Sequence, residues 1–472
     1  MARTEAPAGD RPRVMLVGAY ERDNFGDLLF LLQTERYLRQ AAVTAAAPFP
    51  GDMTRLLDRA IPAYGPLLAS ERYDAIWTVG GEVGSTSVLG ALRMSMPPGF
   101  VRAYDAAAPA DRQAMLERVH GTAPMESPYV PRPTAYPANA TAASVLHSVG
   151  LAGVTGLPPD EQARRLEVLR EADRISVRDR LSSELLAAHG IAHRLAPDLV
   201  HTLAVTRPVQ RHPREADTVL VQISAAHLRT LGVEAFAEAL ARSTRLAPYR
   251  IRLFLAGSAP GHDSVGSYER LADLVRARRP DRDIAISPER RPYDRVDAIA
   301  AARLWIGLSL HGRIVAAAYG VPRISLAKRK LNAYAQTWDP DMPYGVTPEN
   351  LDDAVAEALS PAVAARSADV GEDLARTADA EIRQAVTETL GPSLSDPAVL
   401  VSRAARRITA LEALRHDEVA RARNRAAEGD GAALVPQRPL ERLAALPRPA
   451  TGRLLTSGLR RVRAGRRRHR QR

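Results

Sequence analysis

Cysteine is absent from the sequence of 472 residues. Disulfide bonds, thiolate metal sites and a cysteine nucleophile are therefore excluded. Long apolar segments are absent too: no run approaches 18 uninterrupted apolar residues, so a transmembrane helix is not expected. The segment Met1–Arg13 is polar and lacks the apolar core of a signal peptide. Together these absences favour a cytoplasmic location.

Lysine is nearly missing, because Lys328 and Lys330 are the only two among 65 basic residues. An arginine bias of this kind is typical of a GC-rich bacterial genome, so a single arginine carries little functional weight. Two neighbouring lysines are harder to explain by composition. We therefore treat both as candidate site residues.

The positive charge is concentrated at the end of the chain. Residues 431–472 contain twelve arginines and one acidic residue, Glu441, which accounts for the whole formal net charge of +11. The rest of the chain sums to about zero. This distribution predicts a basic, disordered tail over 428–472 attached to an electrically neutral body. The tail has no aromatic residues, which argues against specific binding to nucleic acid.

Short apolar runs alternate with amphipathic stretches along most of the chain, the pattern of βα units around a parallel sheet. The predicted strands of the first half are Arg13–Ala19, Ala75–Gly81, Val145–Gly150 and Arg174–Asp179. Those of the second half are Thr218–Ser224, Ile251–Gly257, Asp283–Ser287, Leu304–Ser309 and Arg323–Leu326.

The predicted architecture is an α/β fold with two Rossmann-like domains, 11–207 and 216–347, that face a cleft in a glycosyltransferase-B-like arrangement. Helices are expected over 348–427. The segment Ala91–Ala143, rich in proline and polar residues, is expected to be an irregular insertion near the cleft. Ligands of such sheets bind beyond the carboxyl ends of the strands.

Two glycine-containing turns follow predicted strands of the first half. The turn Gly18–Asp27 leads into a predicted helix, Asp27–Gln40, where backbone N–H groups bind anions well. Its glycine spacing does not match the dinucleotide fingerprint, so an NAD site is disfavoured. Asp27 is either a helix cap or a catalytic base. The second turn, Gly80-Gly81-Glu82, either admits a ligand close to the backbone or is simply tight.

Charged side chains gather at three further junctions. Arg178, at the end of the motif Ser176–Asp179, either points into the cleft or pairs locally. His311 follows a buried strand of the second half and begins a helix. A lone histidine there is more often structural, but Arg313, Lys328 and Lys330 stand near it, and such a group of cations favours a polyanion site.

The order and spacing of these motifs across residues 13–335 resemble the polysaccharide pyruvyl transferase family. The motifs are Asn24-Phe25-Gly26-Asp27, Gly80-Gly81-Glu82, Ser148-Val149-Gly150, Ser176-Val177-Arg178-Asp179, Pro197-Asp198 and Ser309-Leu310-His311 with Gly320-Val321-Pro322. The resemblance implies a glycosyltransferase-B-like fold, phosphoenolpyruvate as co-substrate, a sugar acceptor, no cofactor and no required metal.

The expected reaction divides the candidate residues between two roles. His311 is expected to act as general acid toward the donor, and Asp27 as the base toward an acceptor hydroxyl. The expected substrate-binding residues are Asn24, Gly26, Gly80, Gly81, Glu82, Arg178, Ser309, Arg313, Lys328 and Lys330. The first half is thus the acceptor side, and the second half the donor side.

One departure from the family puts the donor in doubt. The family commonly has an arginine two residues before the histidine, where this sequence has Ser309. Arg313 is a candidate replacement that approaches from another direction. Two alternatives therefore stay open: a nucleotide-sugar-dependent glycosyltransferase of the same fold, and a catalytically silent scaffold.

The tail yields the first testable prediction, that Leu440–Arg472 binds the anionic inner face of the membrane. Each basic residue near anionic lipid contributes roughly 1 kcal/mol, and Leu454, Leu455 and Leu459 add apolar contact. Such placement would suit a lipid-linked sugar acceptor. The full chain should sediment with anionic but not neutral liposomes at low salt, and a chain ending at Ala427 should stay in the supernatant. If both stay in the supernatant, the tail is a solvated appendage.

Overall fold

A computed structural model describes residues 11–123, 125–209, 217–394, 396–409 and 412. The predicted tail, 428–472, lies outside these residues, as do most of the predicted link between the halves and the end of the predicted helical segment. The proposed domain boundaries within those parts stay predictions.

The first half contains a six-stranded parallel sheet in the order β2-β1-β5-β6-β7-β8, plus the antiparallel pair β3 and β4. Its elements are β1 (Arg13–Val17), α1 (Phe25–Tyr37), β2 (Ala42–Ala46), β3 (Gly51–Asp52), α2 (Thr54–Leu57), β4 (Ala60–Ile61), α3 (Tyr64–Ser70), β5 (Ala75–Val79), α4 (Val88–Ser95), α5 (Pro98–Ala106), α6 (Pro109–His120), β6 (Ala143–Val149), α7 (Pro159–Arg170), β7 (Arg174–Val177), α8 (Arg180–Ala188), β8 (Arg194–Leu195) and α9 (Leu203–Thr206).

The second half contains a five-stranded parallel sheet in the order β11-β10-β9-β12-β13. Its elements are β9 (Thr218–Gln222), α10 (Ala225–Leu231), α11 (Val233–Arg242), β10 (Arg250–Leu253), α12 (Val265–Arg278), β11 (Ile284–Ile286), α13 (Pro292–Ala301), β12 (Leu304–Gly307), α14 (Leu310–Ala318), β13 (Arg323–Ser325) and α15 (Arg329–Trp338). The predicted α/β class with two parallel sheets is confirmed.

Helices follow the second sheet, as expected. They are α16 (Leu351–Ala358), α17 (Pro361–Leu390) and a further helical stretch over 397–409. The long helix α17 packs both on α14 and on the turn Leu199–Thr202 of the first half, so it joins the two halves. Within the described part of the chain, no helix combines the length and apolar character needed to cross a membrane.

Several predicted boundaries are corrected. Helix α1 begins at Phe25, two residues before the predicted start, because Asn24 accepts a hydrogen bond from the Gly26 N–H and so forms the N-cap. Strand β5 ends at Val79 because Gly80 and Gly81 have positive φ angles of 64° and 74°. These left-handed conformations interrupt a strand, and glycine adopts them easily.

The insertion between β5 and β6 is more regular than expected. Much of Ala91–Ala143 is helical, in α4, α5 and α6, rather than irregular. Pro98 and Pro109 each occupy the first position of a helix, where the missing N–H costs nothing and the fixed φ suits the helix. These two prolines, which in the sequence alone suggest irregular structure, therefore lie at helix starts.

The two halves are joined by direct contacts around the turn before α1. The Phe25 N–H donates to the carbonyl of Ala256 at 2.9 Å. Asp23 accepts two hydrogen bonds from the guanidinium of Arg295, at 2.7 and 3.2 Å, and that arginine is 1% exposed. A bidentate pair with a buried arginine fixes orientation as well as distance. The turn that leaves β1 is therefore held against the second half.

Candidate functional site

The candidate site lies where the carboxyl ends of both sheets meet. In the first sheet the chain order reverses beside β1, whose neighbours are β2 and β5; in the second it reverses beside β9, whose neighbours are β10 and β12. Open α/β sheets bind ligands in the crevice at such points. The turns that follow β1, β5 and β12 carry Gly26, Gly81 and His311, respectively.

His311 projects from the second half into the first. It lies in the first turn of α14, and its ring meets the edges of Phe25 and Phe30 with centroids 6.5 and 4.9 Å apart. A Cβ atom built on Gly26 would lie 1.8 Å from Nδ1 of His311. Only glycine at position 26 leaves room for this imidazole. Gly26 therefore acts by absence of a side chain.

The guanidinium of Arg178, in the first half, lies against the imidazole of His311. The Nη1 atom of Arg178 lies 3.4 Å from Nε2 of His311 and donates to Oδ2 of Asp198 at 2.9 Å. Both Arg178 and Asp198 are almost wholly buried. The Nη2 atom of Arg178 is buried and has no hydrogen-bond partner among the residues that the structure describes. A buried unpaired donor is costly, and a ligand that accepts from it removes that cost.

The surroundings of His311 favour its neutral form. Burial, together with the positive charges of Arg178 and Lys330, holds its pKa well below the usual value. Arg178 stays charged: although burial acts to lower its pKa, Asp198 and Glu82 raise it above the usual value. The neutral imidazole thus lies beside a permanent cation.

A cavity of about 320 Å³ opens next to this pair. Residues of the first half that line it include Glu82, Gly153 and Arg178, and the second half contributes both lysines and Tyr334. Lys330 lies 3.9 Å from Glu82, and its side chain is 42% exposed. Surrounding protein atoms and the charge of Arg178 lower the pKa of Lys330, while Glu82 and Asp27 oppose that shift.

The two glycines after β5 lie against other candidate residues of the first half. A Cβ on Gly80 would lie 2.1 Å from the ring of Phe30, the ring that contacts His311. A Cβ on Gly81 would approach Oδ1 of Asp27 to 3.8 Å. The Glu82 carboxylate accepts from the Gly153 N–H at 3.1 Å. The second glycine therefore leaves one oxygen of Asp27 facing bare backbone.

Asp27 is a candidate site residue that does not cap its helix. Asn24 provides the cap, and its Nδ2 donates to Oδ2 of Asp27 at 2.8 Å. Arg22 approaches the same oxygen at 3.6 Å. One hydrogen bond and one ion pair therefore hold Oδ2, and Oδ1 is directed toward Gly81. This geometry separates the two hypotheses that the sequence left open, because the capping role belongs to Asn24.

The expectation that Arg313 replaces the missing family arginine is corrected. Its guanidinium is 1% exposed and donates to the carbonyls of Asp339, Met342 and Pro343 and to the hydroxyl of Ser325, at 3.0 to 3.1 Å. It also pairs with the Asp339 carboxylate at 2.7 Å. Arg313 therefore holds the loop after α15 in place and does not face the cavity.

Ser309 likewise has a local contact. Its hydroxyl accepts from the Gly312 N–H at 3.2 Å and caps α14, the helix that carries His311. Serine is a preferred residue at this position. The side chain orients the helix start and does not supply the charge that an arginine would. Among the described residues, Arg178 and Lys330 lie close enough to His311 to lower its pKa, and Lys328 and Arg329 line the cavity beside it.

Sequence reasoning missed three site residues. Asp198 was noted as part of a motif without a role, yet it fixes Arg178. Tyr334 lies in α15, which was not predicted, and its hydroxyl accepts from the Asp198 N–H at 3.3 Å. Arg22 stands two residues before the cap Asn24. Its closeness in sequence to Asp27 is the feature that could have identified it as a candidate. Among the described residues, there is no cluster of three or more acidic or histidine side chains that could hold a metal ion.

A scan of protein families finds the same relationship that the motifs suggest. Residues 136–360 match the model of the family described as polysaccharide pyruvyl transferase. The family resemblance is confirmed. That family is one of enzymes, and the matched range includes Arg178, Asp198, His311 and both lysines. It begins after Asp27 and Gly81, so the match does not include the turns after β1 and β5.

Solved structures show the same fold at low sequence identity. A protein from Listeria monocytogenes assigned as a UDP-N-acetylglucosamine 2-epimerase has a TM-score of 0.52 and 12% identity, over 80% of this chain and 96% of that one. The UDP-GlcNAc 2-epimerase of Neisseria meningitidis has a TM-score of 0.46 and 10% identity, over 79% and 100% of the two chains. The first likeness confirms the glycosyltransferase-B-like arrangement. No curated protein sequence matches the chain significantly.

The close approach of Gly26 to His311 gives a second prediction. Gly26→Ala should push the imidazole away from Arg178 and lower the affinity for phosphoenolpyruvate by about tenfold or more, measured by calorimetry. Gly266→Ala is the matched control, because Gly266 is also the second residue of a helix and nothing lies within 4 Å of its Cβ position. Equal donor affinity in both variants would place His311 outside the donor site.

Proposed function

We propose that this pyruvyl transferase-like chain moves a pyruvyl group from phosphoenolpyruvate to two hydroxyls of one sugar in a polysaccharide or glycoconjugate. The observation that carries the proposal is the meeting of His311 with Arg178 across the cleft, beside a cavity that both lysines line. Every residue of that group lies within the range that matches the family.

The charge of the cavity supports a small, highly charged donor. Phosphoenolpyruvate carries about three negative charges near neutral pH, so its pocket needs several preorganised cations. Arg178 has an unpaired buried Nη2, and Lys328 and Lys330 stand opposite it. The volume, about 320 Å³, is at the low end of the range of ~300–1,000 Å³ for ligand sites. Such a space suits phosphoenolpyruvate and part of a hexose better than a nucleotide sugar.

The state of His311 supports a role as general acid that is switched on by the donor. Burial and two neighbouring cations depress its pKa. A bound trianion offsets those cations, and its own charge favours the imidazolium. We infer that donor binding raises the pKa of His311, so the ring takes up a proton that it then gives to the methylene carbon of the donor.

The proposed transfer balances without a metal or a redox partner. Protonation of C3 makes C2 electrophilic, and one sugar hydroxyl adds to C2 while Asp27 accepts its proton. The C2–O bond to phosphate then breaks, and the second hydroxyl adds to C2 to close the ketal. Of the two hydroxyl protons lost, one replaces the proton given to C3 and the other leaves on phosphate.

The remaining candidates have supporting roles in this scheme. Asn24 orients the Asp27 carboxylate, and Gly26 admits His311. Gly80 leaves room for the ring of Phe30, and Gly81 lets the acceptor approach the backbone after β5. Glu82 balances Lys330 and anchors the turn at Gly153. We propose these residues for the acceptor side, which the family match does not reach.

A nucleotide-sugar donor is the alternative that the fold itself suggests, because the similar structures include enzymes named for UDP sugars. It also needs cations at the strand ends of the second half. Ser309, in place of the family arginine, is the sequence feature that favours this alternative. The size of the cavity argues against it.

A donor comparison supplies the third prediction. Phosphoenolpyruvate should raise the melting temperature and bind in calorimetry, whereas UDP-glucose, UDP-N-acetylglucosamine and GDP-mannose should do neither. Lys330→Met should weaken phosphoenolpyruvate binding by about 10-fold to 100-fold, because a charge-assisted contact is lost. Arg242→Met, a change at an exposed cation of α11, should leave it unchanged. Binding of a nucleotide sugar and none of phosphoenolpyruvate would reverse the assignment, and binding of neither would favour a silent scaffold.

A further inference from the structure

A buried polar network lies behind Asp27, and its members are shared between the turn after β1 and the insertion between β5 and β6. The Tyr129 hydroxyl, from the insertion, donates to Oε1 of Glu21 at 2.9 Å and accepts from Nη1 of Arg22 at 2.6 Å. The Arg22 guanidinium also lies over the Tyr129 ring, 5.5 Å from its centroid. One hydroxyl therefore fixes two consecutive charged residues.

The network continues from Arg22 to the proposed base. The other terminal nitrogen of Arg22, Nη2, lies 3.6 Å from Oδ2 of Asp27, and Asn24 donates to that same oxygen. The Arg22 side chain is 11% exposed and that of Asp27 is 8% exposed. An arginine fork held at one nitrogen by a hydroxyl presents the other nitrogen in a fixed direction. Arg22 is thus oriented by Tyr129 at one end and contacts Asp27 at the other.

The insertion is tied to this network at a second point. The hydroxyl of Ser95, at the end of α4, donates to the Glu21 carboxylate at 2.5 Å. Glu21 is buried, and burial raises the pKa of its carboxyl although Arg22 opposes that shift. Donors from both ends of the insertion therefore converge on a single buried carboxylate. The insertion and the turn that carries Asp27 are packed as one unit.

We propose that Tyr129 is a positioning residue for the transfer, which acts through Arg22 to hold the Asp27 carboxylate in the orientation that leaves Oδ1 toward the acceptor. The inference rests on the proposed function, because it assigns Asp27 the role of acceptor base. It adds a role for the insertion, whose Ser95 and Tyr129 contact the turn that carries Asp27.

Tyr136 provides a matched control for Tyr129. It lies in the same insertion, it is 2% exposed against 1% for Tyr129, and its buried hydroxyl has no hydrogen-bond partner among the described residues. Replacing either tyrosine by phenylalanine removes one buried oxygen and keeps the ring. Only the change at Tyr129 removes a hydrogen bond from Arg22.

The fourth prediction compares these variants in phosphate release from phosphoenolpyruvate, with a panel of p-nitrophenyl hexosides as acceptors. With the best hexoside, Tyr129→Phe should lower kcat by about 10-fold to 100-fold and leave the calorimetric affinity for phosphoenolpyruvate unchanged. Tyr136→Phe should change neither quantity. Arg22→Gln should lower kcat at least as much, and the Tyr129→Phe, Arg22→Gln double variant should match Arg22→Gln alone, since both changes remove the same contact.

A crystal structure of each phenylalanine variant tests the positioning directly and needs no acceptor. The distance between Arg22 and Asp27 should lengthen in Tyr129→Phe and stay near 3.6 Å in Tyr136→Phe. Unchanged kcat in Tyr129→Phe, or additive losses in the double variant, would overturn the inference. An Asp27→Asn variant distinguishes a failure of the proposed base, Asp27, from a failure of the positioning role of Tyr129. If it retains full activity, the proposed base is wrong; if it loses activity while Tyr129→Phe does not, only the positioning role is wrong.

Discussion

His311 is part of the second half of the chain, but its imidazole packs against residues of the first half. It reaches Arg178 only because residue 26 has no side chain and because Phe25 and Phe30 enclose the ring. Neither half alone contains both members of the pair. The site therefore depends on the docking of the two halves, which Asp23 and Arg295 fix on one side and α17 fixes on the other.

The same contact sets the electrostatics of the site. A buried cation beside an imidazole keeps the imidazole neutral, and a second cation, Lys330, adds to this effect. An anion bound among the three groups would offset their positive charge. Four cations and two carboxylates line the cavity, and Asp198 pairs with one of those cations, Arg178, so the lining retains positive charge for a ligand. This imbalance is the reason why we favour a polyanionic donor over a neutral one.

The sequence predicted the two sheets and the strand–helix junctions, because apolar runs and glycine turns depend on local spacing. It predicted His311, Arg178 and Lys330 for the same reason: each stands at the end of a strand or just after it. It was wrong about Arg313, because this side chain is directed by hydrogen bonds to carbonyls of the loop 339–343. The local sequence around Arg313 does not predict those contacts. It missed β2, an alanine-rich edge strand, because alanine is a poor strand signal.

The most direct test of this account is proton uptake on donor binding. Calorimetric titration of phosphoenolpyruvate at about pH 8, in buffers with different ionisation heats, counts the protons that the complex takes up. If the donor raises the pKa of His311 from its depressed value, wild-type protein should take up close to one proton and bind more weakly as pH rises, and His311→Gln should take up none. Binding without proton uptake, or equal uptake in His311→Gln, would contradict the account.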